Sequence, residues 1–492
     1  MSKNMSGKDD KVDVSINNNS NRSLSIEKLD KTYKEIQDLY LSDNRPWIIG
    51  YSGGKDSSAT VQLVWNALYK LDINKRNKTV HVITTDTLVE NPVIAAYTRT
   101  VLSLIDEEAQ KENIPLKTHI IYPKIEESFW VNLIGKGYPA PQQRFRWCTD
   151  KLKIKPSNRF IIEQVNRYGE VIIVLGIREN ESMTRNQVMS LHKINGANNI
   201  LYKHSSLPSA YVYAPIRNWS LEEVWSFLID YNSVSYPWSY INKELTILYK
   251  KAVDPLSMEC PLVIDNTTPS CGNSRFGCWV CTVVKQDKSM QSLIEHGEEW
   301  MKPLYNIRNL LSTTQDPKIK PLVREYKRRN GCVVFKDDNK TIVYGPYKLE
   351  FCKEILRMVL KAQEELKSHN NIGIKYIELI REEELHIIRR IWKERGDWED
   401  SLPKIYKDVT GREFSYIDDD ISIGTYDSSI LSDIANKYGL PVELLKKIIN
   451  TEIQTYNSSK RTQIYNTLDK ILSEEWRTLD EIKNSYGKHK EA

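Results

Sequence analysis

The period of the apolar positions changes several times along the chain. "SLSIEKLDKTYKEIQDLYL" carries apolar residues at helical spacing and predicts a helix. "WIIGY" is a short unbroken apolar run bounded by turn residues, the pattern of a strand buried on both faces. The helical period returns in "SSATVQLVWNALYKL". "KTVHVITTDT" then predicts a second strand, "NPVIAAYTRTVLSLIDEEAQKEN" a helix and "LKTHIIYP" a third strand. "TDKLKIKPSNRFIIEQVNRYG" reads as mostly helical and leads into the strand "VIIVLGI". Apolar strands alternating with helices predict an α/β fold, a parallel sheet with helices on both faces.

In "NWSLEEVWSFLIDY", Ser220 and Glu223 have the spacing of a capping box at a helix start. The α/β domain is therefore expected over 29–245. Before it, residues 1–28 are polar, rich in Asn and Ser, and predict disorder. A cysteine-bearing, loop-rich segment with flanking helices is expected over 246–360, and a mainly helical region over 361–492. Within the latter, "IDDDISIGTYDSS" reads as a linker. No internal repeat is visible.

Composition narrows the class. The 492 residues allow two or three domains. With 70 basic and 65 acidic side chains, net charge says little about a partner, and a nucleic-acid surface would have to be a local cluster. The first residues lack the apolar core of a secretory signal, and no run approaches the roughly 18 apolar residues of a membrane span. A cytoplasmic protein with no membrane association is expected. Its 7 cysteines suit metal or thiol chemistry better than a disulfide framework.

The chemistry starts at "YSGGKDSSAT". A Walker A loop needs G-x-x-x-x-G-K-[ST]. Here only three residues separate Gly50 from Gly54, and Asp56 follows Lys55. Phosphate binding still suits the stretch. Gly53 and Gly54 let backbone amides approach an anion. Ser57 and Ser58 stand where a helix begins, with its favourable dipole, and Lys55 adds a point charge. An ordinary strand-to-helix turn is the bland alternative, against which Ser52-Gly53-Gly54-Lys55-Asp56-Ser57 directly after a strand weighs strongly.

Four cysteines, Cys260, Cys271, Cys278 and Cys281, stand with ten, six and two residues between them in "CPLVIDNTTPSCGNSRFGCWVC". Four thiolates match a [4Fe–4S] cluster or a structural zinc. Zinc ribbons usually have two Cys-x-x-Cys pairs, whereas this segment has one, with Phe276 and Trp279 available as a shield; the cluster is the favoured reading and zinc the weaker one. Cys148 stands apart, before a helix and near Arg146, Lys151 and Lys153. Such surroundings lower a thiol pKa and favour a nucleophile; a merely buried cysteine beneath the nucleotide site is the other reading. Cys332 and Cys352 have no motif and read as structural.

The loop "SGGKDS" resembles the PP-loop of the ATP pyrophosphatase group, which includes phosphoadenylylsulfate reductases and adenylating tRNA thiolases. The resemblance implies that Ser52, Gly53, Gly54, Lys55, Asp56, Ser57 and Ser58 bind the pyrophosphate of ATP with Mg2+. "TTDTLVENP" places Asp86 as the reductase-like branch places its acidic residue. "LGIRENESMTR" resembles a motif carried by Gly176, Arg178, Glu181, Ser182 and Arg185, whose arginines suit phosphate oxygens. With "RWCTDKLKIKP" and the four cysteines, residues 30 to 350 are similar to the DndC-type family of DNA phosphorothioation sulfurtransferases. The chain departs from that family's pattern at Ile177, Glu179 and Asn180, and keeps Arg178.

That likeness implies ATP-dependent sulfur incorporation into the DNA backbone, with Lys55, Asp56, Cys148 and Arg178 as catalytic candidates. Its implied partners are DNA, a cysteine desulfurase as sulfur donor, and the other components of such a system. From the residues alone, "KPLVREYKRRNG" could track phosphates through Lys320, Arg324, Lys327, Arg328 and Arg329, although such runs are usually solvated faces. In "IANKYGLPVELLKKI", Ala435, Gly439 and Leu445 sit as in a helix-turn-helix, with a plain docking hairpin as the alternative. A sulfonucleotide reductase, a tRNA thiolase and a cluster-binding DNA sensor remain competing readings. The reductase reading lacks its Glu-Cys-Gly-Leu-His-type motif, "TDTLVENP" argues against the thiolase, and the intact loop argues against the sensor.

Overall fold

The structure, a computed structural model, describes residues 24–179, 200–229, 238, 242–251, 277–336, 341–415, 425–455 and 461–482. The first helix, α1 (Ile26–Leu41), starts where the Ser25 side chain accepts a hydrogen bond from the Lys28 amide. This helix thus starts slightly before residue 29, with Ser25 as its N-cap.

Six strands form one sheet: β1 (Trp47–Gly50), β2 (Val80–Thr85), β3 (Leu116–Ile121), β4 (Val171–Val174), β5 (Leu201–Lys203) and β6 (Ala210–Tyr213). Their order is β3-β2-β1-β4-β6-β5. All neighbours are parallel except the β5–β6 pair. The sequence pattern marked four of these strands. Strands β5 and β6 escaped it because, unlike the equally short β1 and β4, they are not buried at every position and lack an unbroken aliphatic run.

Burial of the strands on both faces explains their unbroken apolar runs. Trp47, Ile49, Val80, Val82, Ile172 and Val174 pack into one core with α1, α2 (Lys55–Tyr69) and α3 (Pro92–Lys111). Ile48, Ile83, Ile173 and Leu175 face the opposite side, packing with Ile161 of α4 (Lys155–Tyr168). A third core joins residues 129–152 to the helical region through Trp130, Trp147, Trp279, Tyr347 and Trp392.

Helix α4 does not begin where the sequence suggested. Residues Thr149–Ile154 form a π-helical turn in which the Lys155 amide donates to the Asp150 carbonyl. Pro156 has no amide with which to continue an α-helical ladder backwards, so the wider turn carries the chain from Cys148 into α4.

The Ser220–Glu223 capping box forms as read. The Glu223 amide donates to Ser220 Oγ (3.2 Å), and the Ser220 amide donates to Glu223 Oε2 (2.7 Å). Beyond residue 288 the described chain is mainly helical, the longest helix being Leu349–Lys367. Thr425–Tyr438 is also a helix, so the expected linker extends no further than residue 424. No helix among the described residues is long and apolar enough to cross a membrane.

Candidate functional site

The glycine-rich loop lies between β1 and α2, at the carboxyl ends of the parallel strands. Gly53 takes φ +75°, and a Cβ built there would stand 2.5 Å from Thr98 Oγ1. Both facts require glycine. Gly54 is the N-cap of α2 and offers no side chain to its first amides. The serines serve the loop itself. Ser57 Oγ donates to the Gly54 carbonyl (2.9 Å) and accepts from the Ser52 amide (3.2 Å), and Ser52 Oγ lies 3.1 Å from Ser57 Oγ. Ser52 and Ser57 therefore fix the shape of the cradle, a role the motif alone did not separate from ligand contact.

Lys55, Asp56 and Arg178 are all buried and joined. Asp56 Oδ1 accepts from Arg178 Nε at 2.7 Å, and Asp56 Oδ2 lies 3.0 Å from Lys55 Nζ. One carboxylate thus serves two cations, and the trio keeps a net positive charge at a helix N-terminus. That combination favours an incoming anion. Gly176 permits the arrangement, because a Cβ there would sit 2.6 Å from the Asp56 carbonyl oxygen. Arg185, Glu181 and Ser182 lie outside the described residues.

Asp86 ends β2 on the same edge of the sheet. Its Oδ1 accepts from the Leu88 amide (2.9 Å), holding Leu88 at φ +67°, and its Oδ2 pairs with Arg99 (2.7 Å). It borders a cleft of about 530 Å3 that also has Arg99, Trp300, Tyr376 and Arg381 in its walls.

Cys148 does not stand apart in space. Cys148, Cys278 and Cys281 line one mostly apolar pocket of about 50 Å3 with Phe129, Leu152 and Val280. Residues far apart in sequence hold it together. Glu90 and Cys278 form a β-bridge, the Trp279 amide donates to the Val89 carbonyl, and the Cys281 amide donates to the Cys278 carbonyl (2.9 Å). Thr87 Oγ1 lies 3.2 Å from Cys278 Sγ, and Lys153 pairs with Glu90 at 3.5 Å. Burial, reinforced by the Glu90 carboxylate, pushes the Cys278 thiol well above the ordinary range. Thr87, Glu90 and Lys153 were not marked as site residues; only the nearness of "TDTLVENP" to the motif hinted at the first two.

Cys260 and Cys271 lie outside the described residues, and no three His, Cys, Asp or Glu side chains among the described ones gather as a metal site. Two thiols of a closed Cys-x-x-Cys turn, on the wall of an apolar pocket, still fit half of a thiolate-ligated cluster or zinc site. Cys352 is buried and Cys332 exposed.

The cationic run 320–329 is dispersed. Arg324 is buried and donates to the Gly345 and Tyr344 carbonyls, and Lys327 lies 4.1 Å over the Trp476 ring. The hairpin of Thr425–Tyr438 and Val442–Thr455 turns at Gly439, φ +64°. Its second helix docks on the chain's own helices, through Asn450 to Trp398 and the Lys393 carbonyl and Lys447 to Glu474. Those side chains are committed within the molecule.

Residues 46–284 match the phosphoadenosine phosphosulfate reductase domain family. The match spans just under half of the chain, so this segment is similar to that domain. An uncharacterized protein of Methanocaldococcus jannaschii is 26% identical over 270 residues, 54% of this chain and 42% of that one, so the match spans less than half of the relative. Two solved structures resemble the chain loosely. A phosphoadenylyl-sulfate reductase from Candida auris, in a phosphate complex, covers 46% of this chain and 93% of its own at 17% identity and TM-score 0.29. The U34-tRNA thiolase NcsA from Methanococcus maripaludis, with its [4Fe–4S] cluster, covers 45% and 72% at 13% identity and TM-score 0.27. Both likenesses are too loose to transfer any residue's role onto this chain.

Proposed function

We propose that this protein uses ATP to replace a non-bridging oxygen of a DNA phosphodiester by sulfur. The observation that carries the reading is the pairing of two sites. A buried cationic trio, Lys55, Asp56 and Arg178, stands at the mouth of α2, while β2 continues directly through Asp86 into Thr87 and Glu90 at the cysteine pocket.

In this reading the phosphodiester oxygen attacks the α-phosphorus of ATP, and pyrophosphate leaves. Lys55, Arg178 and the amides at the start of α2 hold the departing charge, and Asp56 orients both cations. Magnesium, entering with the nucleotide, would share that charge as a Lewis acid. The adenylated oxygen is now part of a good leaving group. A cysteine desulfurase loads Cys148 as a persulfide. Its terminal sulfur attacks the DNA phosphorus, forming the P–S bond while AMP departs with the oxygen. Two equivalents of a cellular thiol then reduce the S–S bond and leave as their disulfide, which returns Cys148 as a thiol and leaves the thiophosphate. A [4Fe–4S] cluster on Cys260, Cys271, Cys278 and Cys281 would supply iron-bound sulfur chemistry beside that pocket, with zinc the weaker alternative.

The test is mass spectrometry of hydrolysed DNA and tRNA from cells with and without the gene. Gene-dependent phosphorothioate dinucleotides support the reading. Sulfur on a tRNA base instead sinks it in favour of a tRNA thiolase, and sulfite production from a sulfonucleotide favours a reductase.

A further inference from the structure

The loop that delivers Cys148 also builds a surface that the nucleotide chemistry does not use. Gln142 and Phe145 exchange both backbone hydrogen bonds, so residues 142–145 close a tight hairpin with Gln143 and Arg144 exposed at its tip. Phe145 remains 38% exposed and lies parallel to Tyr138, the ring planes 6° apart and their centres 6.4 Å apart. An exposed phenylalanine alone is unremarkable. Its surroundings are not. The Arg329 guanidinium, from the distant basic run, stands 4.6 Å over the Tyr138 ring, and Lys151 Nζ lies 5.9 Å from the same ring. Lys136 is close enough to Lys151 and Arg329 that, after burial, their charges lower its pKa.

The charge there is not cancelled. Glu127 pairs with Lys151 and Lys155, and Asp150 pairs with Lys155. Arg144 and Arg329 have no ion pair among the described residues. Arg146 Nη1 is buried without a hydrogen-bond partner among them. The surface also shares a wall with the cysteine pocket. Tyr138 packs on Trp147 at 5.4 Å, Trp147 stacks on Phe129 at 5.4 Å, and Phe129 lines the pocket of Cys148.

Planar rings interleaved with arginines that make no ion pair among the described residues are the chemistry of an unpaired nucleic-acid strand. Bases stack on the rings and phosphates meet the guanidiniums, whereas a closed duplex hides its base faces. We infer that the hairpin 138–147, with Arg329 beside it, docks a single-stranded segment of DNA next to Cys148. Phe145 stacks a base, and Arg144 and Arg329 hold phosphates. The inference rests on the DNA reading above and assigns the acceptor a place.

Fluorescence anisotropy of the full chain with a labelled single-stranded oligodeoxynucleotide, its duplex and a tRNA tests it. Phe145→Ala is expected to weaken single-strand binding about 5-fold or more, the loss of one stacked base, and Phe145→Trp to restore it. Arg329→Ala should lower the salt slope by about 0.7, one phosphate contact on a single strand. ATP binding, measured by equilibrium dialysis, should persist in all three variants and shows that they are folded. If the wild type binds the strand and both alanine variants bind it equally well, this surface is wrong while the DNA reading stands. If the wild type ignores DNA and binds the tRNA, both fall together.

Discussion

Arg178 and Asp56 meet in a buried ion pair, Nε to Oδ1 at 2.7 Å, across 122 residues of sequence. Lys55 shares the other oxygen of the same carboxylate at 3.0 Å. Removing one partner of a buried pair leaves uncompensated charge, a loss of about 3–5 kcal/mol. Asp56→Ala should therefore lower urea stability by that order and abolish pyrophosphate release. Asp56→Asn leaves the same two cations uncompensated and keeps only a hydrogen-bond acceptor, so it should also lose stability and release pyrophosphate poorly. An Asp56→Ala protein as stable as wild type would remove Asp56 from this role.

Gly53 meets two constraints that a double variant separates. Gly53→Ala adds a left-handed backbone penalty of about 1–2 kcal/mol and a Cβ 2.5 Å from Thr98 Oγ1. Thr98→Ala removes the hydroxyl and leaves the backbone penalty. Gly53→Ala should weaken ATP binding, and the pair Gly53→Ala with Thr98→Ala should recover part of the loss. Equal ATP affinity in the single variant and the wild type would show that the loop tolerates reshaping.

What could be read from the sequence was local. Strands β1, β2 and β4 announce themselves because they are buried at every position and so are largely apolar, while β3, at the sheet edge, is only partly buried. The capping box at Ser220 and the loop at Gly53 are short-range patterns with short-range causes. Pairings across the fold were not visible. Asp56 after Lys55 marked a departure from Walker spacing, but its hold on Arg178 depends on β1 and β4 being neighbours. Cys148 was read as separate from Cys278 and Cys281, because contacts such as the bridge between Glu90 and Cys278, which bring the later segment back to the chain after β2, join residues far apart in sequence. Arg324 sat in a run that looked solvated, yet it is buried against two carbonyls, and only Arg328 and Arg329 of its cluster are fully exposed.

The cysteine pocket makes a chemical separation testable. Cys278 is held as a thiol by burial and by Glu90, so metal loading must displace its proton. Protein purified anaerobically should lose iron and labile sulfide in Cys278→Ser and Cys281→Ser. Cys148→Ser should keep its iron while losing sulfur transfer to DNA. Zinc in place of iron in the wild type would overturn the cluster assignment. Full iron content in Cys278→Ser would remove that ligand.

Glu384 supplies a stability test remote from both sites. It is buried in the third core at the start of helix Glu382–Glu394, where Oε2 accepts from the Arg381 amide at 2.9 Å. Burial pushes its pKa up to about 7 from an ordinary 4.5. The folded state therefore keeps a proton that the unfolded chain releases between those values. The stabilisation from this group is full below about pH 4.5 and is lost as pH rises through 7, amounting to about 3 kcal/mol at most. Glu384→Gln keeps the accepting oxygen and removes the titration. Urea denaturation at pH 5 and pH 8 should show wild type losing more stability than the variant between the two, with the variant the more stable at pH 8. Equal losses in both proteins would mean that Glu384 titrates alike in the folded and unfolded chains.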